Sequence, residues 1–202
     1  MKKIVALVIL FLSVMSLKAQ QTVSYGISAG VNVSKVILNY QIITTGLTPI
    51  AGFKGYVFYD LPTGGGFSLH NELGYDGMGF KYIDYPGDPS RYVQTLDYLT
   101  LSILPAYNLQ NTGLSFFAGP SLGYLFHANS TGGGRDISST TDLSSFDLFG
   151  VLGEEYFFPM GLGISFRYMY GLTNIAKGYT YGGDVHNSVF SLTLAYKFNT
   201  SK

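Results

Sequence analysis

Three histidines, His70, His127 and His186, are the first side chains that could hold a metal or move a proton. None stands in a ligand-like spacing such as His-Glu-x-x-His, and the absence of cysteine removes any thiolate site. His127 and His186 fall at the bases of long connectors, where Ser130, Ser188 and Asp184 supply the remaining residue types of a Ser-His-Asp set. Such a set is defined by geometry, which residue types alone do not provide. The adjacent Glu154 and Glu155 suggest paired carboxylates, but neighbours on a strand point to opposite faces and cannot share one substrate. The glycine runs at 64–66 and 132–134 lack the Lys-Ser/Thr ending of a phosphate loop, and read as a turn and a flexible outer loop. The expectation is therefore a chain with no catalytic residue, no cofactor and no metal.

The elements that carry these residues follow from composition and patterning. The chain has 202 residues, with 26 Gly, 17 Tyr and 15 Phe, and only 12% charged residues against roughly 25% in an ordinary soluble domain. Twelve basic and twelve acidic residues cancel, so no strong field draws nucleic acid to the protein. Without cysteine there is neither a disulfide nor a lipidation site of the bacterial lipoprotein kind. Lys2 and Lys3, an apolar run over 4–12 and a mixed stretch ending Lys18-Ala19-Gln20 read as a secretory signal. Residues 1–20 are expected to be cleaved after Ala19 or Gln20, leaving 21–202 as one domain.

No later segment approaches the roughly twenty apolar residues of a helical span. Instead the first mature segment alternates, with Val23, Tyr25, Ile27, Ala29, Val31 and Val33 on one face and Ser24, Gly26, Ser28, Gly30, Asn32 and Ser34 on the other. The last segment repeats the scheme with Phe190, Leu192, Leu194, Tyr196 and Phe198 against Ser191, Thr193, Ala195 and Lys197. Between them, strands are predicted at about 50–60, 67–81, 96–108, 114–126, 146–157 and 161–170. Only helices and closed barrels satisfy every backbone group in hydrocarbon, so this all-β pattern predicts an eight-stranded antiparallel up-and-down transmembrane β-barrel. Short connectors at 61–66, 109–113 and 158–160 alternate with long ones at 35–49, 82–95, 127–145 and 171–187, which puts the short turns and both termini in the periplasm. Pro105 and Pro120, inside strands, imply a bulge or local bend.

The register sorts side chains by face. Outward positions near the periplasmic ends are Tyr25, Tyr59, Phe67, Tyr107, Phe116, Tyr156 and Phe198, an aromatic girdle. Tyr75, Tyr124, Tyr168, Tyr170 and Phe190 form a less regular upper one. Inward positions hold Lys54, Glu72, Asp76, Asp147, Glu155, Arg167 and Lys197, with His70 on the same face. Eight strands leave an interior just wide enough for side chains, so these charges are expected to pair and plug the lumen, Arg167 with Glu72 or Asp76.

Several short motifs carry a resemblance. Residues 26–34 (Gly-Ile-Ser-Ala-Gly-Val-Asn-Val-Ser), 69–75 (Leu-His-Asn-Glu-Leu-Gly-Tyr), Tyr98-Leu99, Pro105, 119–123 (Gly-Pro-Ser-Leu-Gly), Arg167-Tyr168, 171–175 (Gly-Leu-Thr-Asn-Ile) and 194–198 (Leu-Ala-Tyr-Lys-Phe) together resemble the PorT-like outer-membrane β-barrel family. The resemblance implies an eight-stranded barrel in the outer membrane of a Gram-negative cell, without catalytic residues and surrounded by outer-membrane lipid. Ser191, Thr193, Tyr196 and Phe198 resemble the slots read by barrel-insertion machinery, with Thr193 where glycine is usual. The expected role is structural or interactive, related to envelope or secretion, with a protein or surface partner at the long loops. The alternatives are a narrow small-solute channel and, third, a lipid-modifying enzyme.

Overall fold

The computed structural model describes residues 23–38, 45–83, 90–138, 140, 142–177 and 183–198. The expected signal at 1–20, including Ala19 and Gln20, lies outside the described residues. Among the described residues there are nine strands: β1 (Ser24–Leu38), β2 (Thr45–Gly64), β3 (Phe67–Ile83), β4 (Tyr92–Asn108), β5 (Leu114–Gly132), β6 (Arg135–Ser138), β7 (Phe146–Phe157), β8 (Leu162–Gly171) and β9 (Val185–Lys197). All except β6 join an antiparallel ring in which each strand pairs with the next and β9 returns to β1, from Gly26↔Lys197 to Leu38↔Val185. β6 is a short hairpin arm on the end of β5.

Period-two alternation explains why the ring faces both ways. Ile27, Val31, Val33, Leu101, Leu152 and Leu194 stand on the outer wall, 47% to 64% exposed, while Ser28, Asn32, Ser34, Ser102, Ser121 and Thr193 are buried inside. That is the reverse of a water-soluble domain and suits a hydrocarbon surround. The interior is not wholly polar, however. Met78, Leu96, Tyr98, Leu104, Ala106, Phe117, Leu125, Phe149, Met169 and Val189 belong to an apolar cluster within it. Four of these come from β4, whose outward positions Leu99, Leu101 and Ile103 are apolar as well, and this double apolarity is why the sequence alternation there is loose.

Two sequence expectations need correction. First, the strands outrun their predicted ends at the loop side: β2 begins at Thr45 rather than 50, β3 reaches Ile83, β4 begins at Tyr92, β5 reaches Gly132 and β9 begins at Val185. Much of the chain read as long connector is thus strand, and the flexible loop expected at 132–134 is the turn between β5 and β6, with Gly133 and Gly134 at φ 56° and 74°. At the other end the 61–66 turn tightens, since β2 pairs with β3 as far as Gly64↔Phe67. Second, Pro105 and Pro120 produce no bulge. The β4–β5 ladder skips from Ser102↔Ser121 to Ala106↔Phe117 and resumes in the same register, as expected where two residues lack an N–H to donate. The real irregularity lies higher, between Asp97↔His127 and Tyr98↔Leu125, where Phe126 is the extra residue. The strands that result make an uneven wall: β2 to β5 have 20, 17, 17 and 19 residues, whereas β7 to β9 have 12, 10 and 13.

Candidate functional site

The side chains that converge do so inside the lumen, in tiers set by strand register. Uppermost, the β2–β3 pair Lys54↔Asp76 puts an ammonium beside a carboxylate, Nζ lying 2.7 and 2.9 Å from the two oxygens. Asn32 Nδ2 donates to Oδ1 at 3.1 Å and Thr100 Oγ1 to Oδ2 at 2.7 Å, so Asp76, fully buried, is held by donors from three strands. Such a carboxylate tolerates burial because every lone pair is used.

One tier lower, Arg167 on β8 reaches across the barrel to Glu72 on β3. Nη1 donates to Oε2 at 2.7 Å and Nη2 to Oε1 at 2.8 Å, a two-pronged pairing, and Nη2 also donates to the Tyr56 hydroxyl at 2.6 Å. The guanidinium sits over the Phe117 ring, 5.0 Å from its centroid. Planar pairing and stacking together are what arginine does and lysine does not.

Nearest the short turns, His70 places each ring nitrogen against a carboxylate: Nδ1 is 2.5 Å from Asp60 Oδ1 and Nε2 is 2.9 Å from Glu72 Oε1. Phe117 stacks on the ring at 5.8 Å and Phe58 leans on it at 5.2 Å, fixing its plane. Lys197 Nζ lies 2.9 Å from Asp60 Oδ2, to which Ser24 Oγ also donates at 3.2 Å. Glu155, 5% exposed, completes the group, and ligand atoms of Asp60, His70 and Glu155 all lie within 4.8 Å of one another. Asp60 is not among the inward charges expected from the sequence, although it shares the inward parity of Lys54, Tyr56 and Phe58.

Asp147 departs from the expected charge pairing. It is buried at the loop end, yet its partners are neutral: Thr173 Oγ1 donates at 2.5 Å and Asn187 Nδ2 at 2.9 Å. It makes no ion pair among the described residues.

The imagined Ser-His-Asp set does not assemble. His127 faces outward and pairs with Asp97 at 2.8 Å, while His186 donates to the Gly171 carbonyl at 2.9 Å. Ser130 lies 3.4 Å from the Tyr82 hydroxyl, Ser188 lies 3.1 Å from that of Tyr168, and Asp184 accepts from Asn174 at 2.9 Å. Each candidate has a separate neighbour. Glu154 is exposed on the outer wall, opposite in sense to Glu155.

Of the aromatic positions near the short turns, Tyr25, Tyr59, Phe67, Tyr107, Phe116 and Phe198 are 44% to 56% exposed on the outer wall, and Tyr156 is half-buried against Phe158. Phe67 leans on Tyr107 at 5.0 Å and Tyr25 on Phe198 at 5.7 Å, so the rings touch across paired strands, the latter across the closing seam.

Residues 18–177 match the family described as outer membrane protein beta-barrel domain. The fold is similar to the crystal structure of Ail, the attachment invasion locus protein of Yersinia pestis, with 16% identity and a TM-score of 0.53 over 88% of this chain and 100% of that one. Ail in complex with the heparin analogue sucrose octasulfate gives 15% identity and a TM-score of 0.53, over 88% and 100% of the two chains. Neisserial surface protein A gives 15% and 0.52, again over 88% and 100%. No curated protein sequence matches the chain.

Proposed function

The chain belongs to the outer membrane protein beta-barrel domain family, and from that premise we propose that it is a closed, non-enzymatic barrel acting through its loop end on a protein or surface partner, in envelope or secretion work. Its place is the outer membrane, as an integral barrel. In an even-stranded barrel the short turns and termini are periplasmic, so the tall ends of β2 to β5 stand outward from the cell. Export by the signal at 1–20, insertion guided by the last strand ending at Phe198, and PorT-like membership within the family belong to the same reading.

The observation that carries it is the cross-lumen arginine. Arg167 is 1% exposed and bridges β8 to β3 and β2 through Glu72 and Tyr56. Phe117, Phe149, Met169 and Leu104 are buried in the lumen as well. An eight-stranded interior filled this way has little room for water, and conduction would require breaking a buried ion pair. Surface binding is then the use left to the fold; Ail offers an analogy, since it takes a heparin analogue.

The test is single-channel recording of the purified barrel in a planar bilayer. A silent membrane, with the barrel shown folded by its heat-dependent gel migration, is the expected result. Steady openings in the wild type would overturn the closed reading and favour the narrow channel.

A further inference from the structure

We infer that the periplasmic half of the lumen holds a binding site for one divalent transition ion of the zinc class, ligated by Asp60, His70 and Glu155. The three come from β2, β3 and β7, and their ligand atoms already lie within 4.8 Å of one another. A four-coordinate ion about 2.0–2.2 Å from each ligand keeps them roughly 3.4 Å apart, so the site forms by shifts of about an ångström.

The imidazole is prepared for the task. Its Nε2 is fixed by Glu72 at 2.9 Å, and Glu72 is itself gripped by Arg167. A carboxylate on the far nitrogen orients a metal-binding histidine and raises its basicity, and here it leaves Nδ1 facing Asp60. Asp60 is prepared in the same manner: Lys197 and Ser24 occupy Oδ2, which directs Oδ1 toward the imidazole. An ion between Nδ1 and Oδ1 would take the place of the proton that now joins them, opening their 2.5 Å contact.

Glu155 points independently to a ligand. It is 5% exposed, yet it makes no hydrogen bond or ion pair among the described residues. Beside it on β8, Ser165 Oγ and Arg167 Nε are buried without a partner, Ser165 being paired in register with Glu155. A buried carboxylate without a donor is costly unless something occupies the space before it. Lys197, Arg167 and the doubly hydrogen-bonded His70 balance Asp60, Glu72 and Glu155, so the ion would bind by displacing the Nδ1 proton rather than by meeting unmatched charge. Entry is from the periplasm, where the Asp60 and Lys197 side chains keep 10% and 18% exposure. A water from that side completes the coordination, and the mixture of one imidazole and two carboxylates suits zinc or cobalt better than calcium.

The experiment uses tag-free barrel in detergent, stripped with chelator and titrated with Co2+ and then Zn2+. One Co2+ per chain, with the intense visible bands of a four-coordinate ion that zinc then abolishes, is the expected result. Glu155→Gln, which breaks no existing hydrogen bond, should weaken binding about tenfold or more while heat-dependent migration stays normal, and His70→Asn should do the same. His127→Ala, far away on the outer wall, should change nothing. A stripped wild type that takes up no cobalt would overturn the inference. So would binding that survives both lumen substitutions, or that disappears with His127→Ala.

Discussion

Replacing Arg167 by methionine removes the charge while keeping most of the side-chain length, and the surroundings dictate the consequence. The guanidinium makes three short hydrogen bonds, two to Glu72 and one to Tyr56, and lies on Phe117. Its loss leaves Glu72, 4% exposed, with His70 as its remaining donor. Breaking a buried pair from one side costs about 3–5 kcal/mol, most of it the penalty of the stranded charge. Summing each hydrogen bond to a charged group at about 1.5–3 kcal/mol would exceed this, but those contributions share one desolvation and do not add. The decisive comparison is therefore a double-mutant cycle. Arg167→Met alone should lose about 3–5 kcal/mol, and Arg167→Met with Glu72→Leu should return to within about 2 kcal/mol of the wild type. The chain has no tryptophan, so unfolding in urea is followed by circular dichroism and by the fraction of compact, heat-modifiable species on a gel. A single substitution costing under about 1 kcal/mol, or a double one costing the full sum of the singles, would refute the claim that the pair holds the lumen as one unit.

Gly30→Ala should block closure of the barrel, because a Cβ there would sit 2.1 Å from the Leu192 carbonyl oxygen and 2.6 Å from Thr193 Cα across the β1–β9 seam; Ala29→Val on the outer face should not, and the yield of compact species compares them. Asp147→Asn should change stability by no more than about 1 kcal/mol, since its partners Thr173 and Asn187 are neutral, whereas Asp76→Asn strands Lys54 and should cost about 3 kcal/mol; urea midpoints decide. His127→Ala should shift stability by less than about 0.5 kcal/mol, since its pair with Asp97 is 48% and 23% exposed, and a larger loss in the same assay would contradict a surface role.

The part of the fold in contact with hydrocarbon was legible because two solvents of opposite character impress a strict alternation on the chain, as in 23–34 and 190–198. Beyond the hydrocarbon both faces of a strand can meet water or another side chain, and the pattern fades while the pairing continues. That is why Tyr82-Ile83 and 45–49 read as connectors although they are strand. The insertion of Phe126 was invisible for a related reason: a single extra residue exchanges inward and outward parity, so His127 turns out and Ala128 turns in. The lumen carboxylates and cations followed directly from parity, but their tiers did not. Whether Arg167 meets Glu72 or Asp76 depends on strand stagger around the whole ring, which no local window contains. The same holds for Asp60, His70 and Glu155, whose separation in the chain hid any ligand spacing.

The uneven wall has a consequence for anything approaching from outside. Between the 17 to 20 residues of β2–β5 and the 10 to 13 of β7–β9 lies a height difference of roughly 15 Å, taking about 3.3 Å per residue along inclined strands. The barrel therefore ends outward as a slanted spout with a backboard on one side. Across from the backboard the segment after β8 folds back over the low side, where Ala176 bridges Leu143 and Ile175 is buried in the lumen cluster. The tall edge of β2–β5 is thus the part of the described chain that reaches farthest from the membrane.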